Sequence, residues 1–139
     1  MLHGSETSAM SSEFLRRLEV NEMSMARWMC SVSSRDRISN EELRRRMCLE
    51  PIGDSIRRRR LRWCGHVERK DECQWVKRVR KLQVDGHRPV GRPRKSCSDN
   101  IKEDLRELGL RVEDANDRTK WRTAIQANRR NQHGWNNRR

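Results

Sequence analysis

The chain has 139 residues, with 33 Lys or Arg against 20 Asp or Glu and a formal net charge of +13. Apolar residues make up only 32% and the aromatic set is five Trp and one Phe, against a usual apolar share of roughly 45–50% with Gly counted, so a large self-sufficient core is not expected. No run of about 18 apolar residues exists to span a membrane, and Leu2-His3-Gly4-Ser5-Glu6-Thr7 is not an apolar signal segment, which predicts a nuclear or cytoplasmic chain.

Phe14, Leu18, Met25, Trp28, Met29 and Val32 recur at helical spacing and predict an amphipathic helix over residues 12–32, interrupted at Asn21, with that stripe in the core. Ser39-Asn40-Glu41-Glu42 reads as a capping box with Ile38 and Leu43 at the staple positions. It opens a short helix over about 39–48 that Pro51 and Gly53 punctuate. A third helix is expected over about 52–69, with Ile52, Ile56, Trp63 and Val67 near one face, Leu61 and Cys64 widening it. Gly65 weakens its last turn by about 1 kcal/mol relative to Ala. Trp75, Val76, Val79 and Leu82 suggest a further helix over about 72–82.

Residues 83–97, with Gly86, Pro89, Gly91 and Pro93, form the best linker candidate. Beyond it, Ile101, Leu105 and Leu108 mark a helix over about 98–108, and Gly109 is placed to be its left-handed cap. Asp117 can cap a last helix carrying Trp121 and Ile125. The expected fold is therefore all-α, in short amphipathic helices forming small bundles. Its parts are a helical segment 1–82, a basic Gly/Pro linker 83–97, a helical segment 98–128 and a frayed, disordered tail 129–139.

The chemistry-bearing residues argue against an enzyme. Cys30, Cys48, Cys64, Cys73 and Cys97 are odd in number and contain no C-x-x-C pair, so they read as reduced thiols. Cys64-Gly65-His66 with Cys73, His87 and Cys97 is the nearest approach to a metal pattern, but zinc ligands typically pair closely at both ends. No metal or other cofactor is expected. Asp71-Glu72, Glu103-Asp104 and Glu113-Asp114 read as solvated helix faces or N-terminal charge complements. His66-Val67-Glu68 matches H-x-E, but the P-C-x-x-C partner of zinc deaminases is missing.

The charge points instead to a polyanion. Arg57, Arg58, Arg59, Arg60 and Arg62 put five guanidiniums in six positions, and guanidinium binds phosphate bidentately. A solvated basic face or a nuclear-import signal would explain the same run. Pro89-Val90-Gly91-Arg92-Pro93-Arg94-Lys95 is a partial AT-hook in which Val90 stands at the first Arg position. Arg92, Arg94 and Lys95 join the arginine run as candidate contacts to RNA or DNA backbone. Trp63, Trp75, Trp121 and Trp135 could stack on bases, although helical spacing favours packing for the first three. The alternative is a protein-interaction or self-association fragment, docking through the apolar faces of helices 12–32 and 98–108.

Several stretches resemble one family. Leu61-Arg62-Trp63-Cys64-Gly65-His66-Val67 is similar to the R-W-aromatic-G-H-V stretch near the C-terminus of non-LTR retrotransposon endonuclease–reverse transcriptases. Gly91-Arg92-Pro93-Arg94-Lys95, then Asp99-Asn100-Ile101-Lys102-Glu103-Asp104-Leu105, resembles the G-R-P-R-K…D-x-I-K-E-D-L run that follows there. Leu2 to Thr7 is similar to the L-Y-G-S-E-T-W entry, and Glu19, Met23, Trp28, Met29, Cys30, Asp36 and Arg37 match an E-M…R-W-M-C…D-R run. The resemblance extends to about residue 125. It implies a thumb-like region after the polymerase palm plus the C-terminal tail, without the aromatic-x-D-D turn that carries polymerisation. His3, Ser8, Cys64 and Cys97 replace aromatic anchors of that pattern, which suggests a repurposed or decaying copy, or a translated relic without function.

Overall fold

The computed structural model describes residues 4–82, 86, 90, 91 and 95–133, the side chains of Ser34 and of 128–133 excepted. The described residues form an all-α fold: α1 (Ser12–Met29), a 3-10 turn (Ser34–Asp36), α2 (Asn40–Met47), α3 (Ile52–Glu68), α4 (Trp75–Lys81), α5 (Cys97–Leu108), a second 3-10 turn (Val112–Asn116) and α6 (Arg118–His133). No described helix is long and apolar enough to cross a membrane.

Local chemistry sets most of these boundaries. The Ser11 hydroxyl accepts from the Phe14 N–H at 3.2 Å and starts α1. The Ser39 hydroxyl does the same for the Glu42 N–H at 3.2 Å, but only this half of the expected box forms. The Glu42 carboxylate turns to Arg45 and to Arg46, at 2.9 Å for the latter, because cations one turn on compete for it. A complete box occurs at α5, where Ser96 Oγ accepts from the Asp99 N–H at 3.2 Å and Asp99 Oδ2 accepts from the Ser96 N–H at 2.9 Å. The Ser96 hydroxyl and N–H hold the Asp99 carboxyl below its ordinary range. Gly109 closes α5 at φ 63°. Asp117 Oδ1 caps α6 by accepting from the Thr119 and Lys120 N–H groups, both at 2.9 Å.

Two apolar clusters meet on α3. Ile52 and Ile56 of its first turns pack with Met10, Leu18 and Leu15. Leu61 and Cys64, further along, pack with Ile101, Leu105, Ala115, Trp121 and Ile125. The segments before and after residues 83–97 therefore share a core. Asn100 Nδ2 adds a buried bond to the Met10 carbonyl at 3.3 Å.

Trp121 is the largest buried side chain of the second cluster, and its Nε1 donates to the Leu61 carbonyl at 3.1 Å. Its indole lies directly on Gly65: a Cβ there would stand 2.8 Å from Cδ1 and 2.9 Å from Cε2. Gly65 is thus a seat for Trp121, which outweighs its poor helix propensity. Gly65→Ala should destabilise the chain in a thermal melt by about 1–3 kcal/mol through overpacking, although alanine alone would favour the helix by about 1 kcal/mol. A raised melting temperature would mean that the indole does not sit there.

Two faces differ from the sequence expectation. On α1 four of the six residues of the expected core stripe are turned outward, with Phe14, Met25 and Met29 exposed and Trp28 83% exposed. Leu18 of that stripe is buried, and the helix seats it together with Met23 and Ala26. Arg27 fixes that rotation, donating to the Ile38 carbonyl at 3.0 Å and to Asn40 Oδ1 at 2.8 Å. The helix also ends at Met29, and Ser31 follows in the left-handed region at φ 53°. On α4, Trp75, Val76, Val79 and Leu82 are exposed, with Arg78 4.8 Å above the Trp75 ring. The polar side of α4 holds it in place: Lys77 Nζ donates to the Glu68 and Lys70 carbonyls at 3.0 Å each, and Arg80 pairs with Glu68 at 2.5 Å.

Candidate nucleic-acid interface

Residues three and four apart on a helix share a face. On α3 that rule aligns Arg59, Arg62, Trp63 and His66 in one stripe, and on α6 it aligns Arg118, Trp121, Arg122 and Ile125. Seating Trp121 on Gly65 brings the two stripes together. Between them lies a groove of about 780 Å³, which Arg69, Gln126 and Glu6 also line. Trp121 and Ile125 are buried at its base, Trp63 is half-buried, and Arg59, Arg62, Arg118 and Arg122 are exposed. Five guanidiniums face one carboxylate, Glu6, in this concavity. Arg69 is partly committed, donating to the Ala115 carbonyl at 2.8 Å. A concave site lined by one sign of charge concentrates its field and attracts the opposite ion.

The arginine run divides at this point. Arg59 and Arg62 are on the groove. Arg57 Nη1 pairs with Glu107 Oε2 at 3.0 Å, while its Nη2 lies 3.8 Å from Asp54 Oδ1 and its Nε 3.7 Å from Asp104 Oδ1. Arg58 makes a two-pronged pair with Glu50, its Nη2 at 2.5 Å from Oε2. Arg60, 5% exposed, lies 3.2 Å from Asp104 Oδ2. These three guanidiniums are neutralised by the chain's own carboxylates and tie α3 to α5 and to the turn before it. Burial pushes the Asp104 carboxyl up, more strongly than Arg60 and Arg57 pull it down. Lys95 pairs with Glu103 at 2.5 Å on the surface, a contact easily exchanged for water or phosphate. Arg92, Arg94 and Trp135 lie outside the described residues.

Comparison with models of protein families, with curated proteins and with solved structures gave no match.

Each pair of neighbouring acids has at least one member with a structural partner, Glu103 and Asp104 being described above. Glu72 bridges Lys77 at 2.9 Å and Lys81 at 2.6 Å. Asp114 accepts from the Arg111 N–H at 2.8 Å and pairs with Lys120 at 2.5 Å. Cys64 is buried and Cys97 half-buried, and burial raises both thiols above their ordinary pKa. Among the described residues no group of three or more His, Cys, Asp or Glu is placed to share a metal ion. Sequence reasoning missed Arg69, Arg118, Arg122 and Gln126. The signal is present for two of them, since Arg118 and Arg122 flank Trp121 at helical spacing, on the same periodicity that marks Trp121 and Ile125 as apolar.

Proposed function

We propose that this chain is a non-catalytic, basic, helical nucleic-acid-binding segment derived from a non-LTR retrotransposon endonuclease–reverse transcriptase, and that it grips RNA or DNA backbone in the groove between α3 and α6. In the parental protein it would hold template or target near the catalytic domains, in the nucleus or cytoplasm. The observation that carries the reading is the set of four exposed guanidiniums, Arg59, Arg62, Arg118 and Arg122, facing each other across one groove. The derivation is supported by the order of the motifs along the chain. Leu61, Cys64 and Gly65 from one of them meet Ile101 and Leu105 from another around Trp121.

The test is a salt series on the purified chain with labelled oligonucleotide. Each phosphate contact adds about 0.7 (single strand) to 0.9 (duplex) to the slope of log affinity against log salt. Changing Arg59, Arg62, Arg118 and Arg122 together to Ala should weaken binding to all sequences alike and flatten the slope by up to about 2.8 units for a single strand or about 3.6 for a duplex. An unchanged slope would defeat the assignment.

A second reading rests on α1, where Phe14, Met25, Trp28 and Met29 are exposed among the described residues. Protein docking through them should survive high salt, unlike backbone binding. The helix over 98–108 is not available for this, because Ile101 and Leu105 are already buried.

A further inference from the structure

We infer that the groove selects an unpaired strand, seating one base against the Trp63 ring while the guanidiniums on either side hold the flanking phosphates. The inference rests on the groove reading above and names its ligand more narrowly. Three observations carry it. First, the site is concave: about 780 Å³ between two helices. A duplex is a convex cylinder and would touch only the rims. Second, Trp63 is half-buried and lines the groove between Arg59 and Arg62 on one side and His66 on the other. Inside a duplex the base faces are covered by their neighbours and only edges are presented. An aromatic face in a groove can be matched only by a base that has left the stack, and such stacking is tolerant of sequence. Third, the charge follows the same path: Arg59 and Arg62 on α3 and Arg118 and Arg122 on α6 line the same groove as Trp63, so that guanidiniums are available to phosphates before and after the base, while the Gln126 amide offers a donor and an acceptor to a base edge.

Trp63 and Trp121 divide the work of the two indoles. Trp121 is 3% exposed with its N–H already given to Leu61, so it can only form the floor. Trp63 is half-buried and lines the groove.

The experiment uses the full chain and four probes of similar charge: oligo(dT), oligo(U), a duplex of mixed sequence, and an abasic deoxyribose-phosphate strand. The wild type should bind oligo(dT) and oligo(U) more tightly than the duplex or the abasic strand. Trp63→Ala should weaken oligo(dT) about 10- to 100-fold, with the salt slope and the abasic-strand affinity unchanged. Trp63→Phe should restore most of the affinity while losing the indole fluorescence quenching that oligo(dT) produces in the wild type. Equal binding of duplex and single strand would overturn the inference and leave the groove reading standing. An equal loss of abasic-strand binding in Trp63→Ala would also overturn it, because the ring would then be acting on the fold and not on a base. Failure of the four-arginine variant to change binding of any probe would remove the groove reading, and this inference with it.

Discussion

Trp121→Ala is expected to be the most damaging single truncation in the chain, costing about 3–5 kcal/mol. Such a loss is a large part of the total stability of about 5–15 kcal/mol that a small domain has. The indole fills the space between α3, α5 and the second 3-10 turn, where Leu61, Cys64, Ile101, Leu105, Ala115 and Ile125 converge. Its removal leaves a cavity against Gly65, which has no side chain to fill it, and takes away the indole N–H that donates to the Leu61 carbonyl. Denaturant unfolding followed by circular dichroism measures the cost. Because Trp121 also floors the groove, oligonucleotide binding should fall with it. A change below about 1 kcal/mol would fit an exposed indole and contradict the packing described here.

Arg60 and Asp104 give the second large effect, and its sign depends on whether one partner or both are changed. Arg60 is 5% exposed, and its Nε has no hydrogen-bond partner among the described residues. Asp104→Ala would leave a buried guanidinium with only the solvent-facing part of the site to answer it, at a cost of about 3–5 kcal/mol. The double change Arg60→Met with Asp104→Leu removes both charges together and should be near neutral or stabilising. A double variant as unstable as the single one would show that the pair contributes more than it costs to bury. The pH dependence has the corresponding sign. Burial raises the folded pKa of Asp104 above its unfolded value, so the folded state holds that proton more tightly. Its contribution to stability is therefore greatest at low pH and declines as pH rises from about 4 through the folded pKa. Asp99 and Asp114 run the other way, since hydrogen bonds from Ser96 and Lys120 lower their pKa and their contribution is lost as pH falls. The melting-temperature difference between wild type and Asp104→Asn should therefore shift with rising pH in favour of the variant.

What the sequence made legible was local. Ser39, Gly109 and Asp117 announce helix ends through short-range chemistry, and α2 starts after the first, α5 ends at the second and α6 starts after the third, whereas the Ser96 box that opens α5 one residue before the expected start was not recognised. The rotation of α1 was not legible, because two arcs of that helix are apolar and the choice between them is made by Arg27 reaching Ile38 and Asn40, beyond the helix. The arginine run was legible as charge but not as a surface. Its division follows from Glu50, Asp104 and Glu107, which arrive from other elements to take Arg58, Arg60 and Arg57. The groove needs two helices that are distant in sequence, and only the seat of Trp121 on Gly65 brings them together.

The central claim is the location of the polyanion. Ultraviolet crosslinking of the full chain to a 4-thiouridine-containing strand, with the attached peptides mapped by mass spectrometry, tests it most directly. Crosslinks concentrated on α3 between Arg59 and Arg69 and on α6 between Arg118 and Gln126 are the expected result. Crosslinks confined to residues 83–95 or to α4, with α3 and α6 free of them, would contradict it.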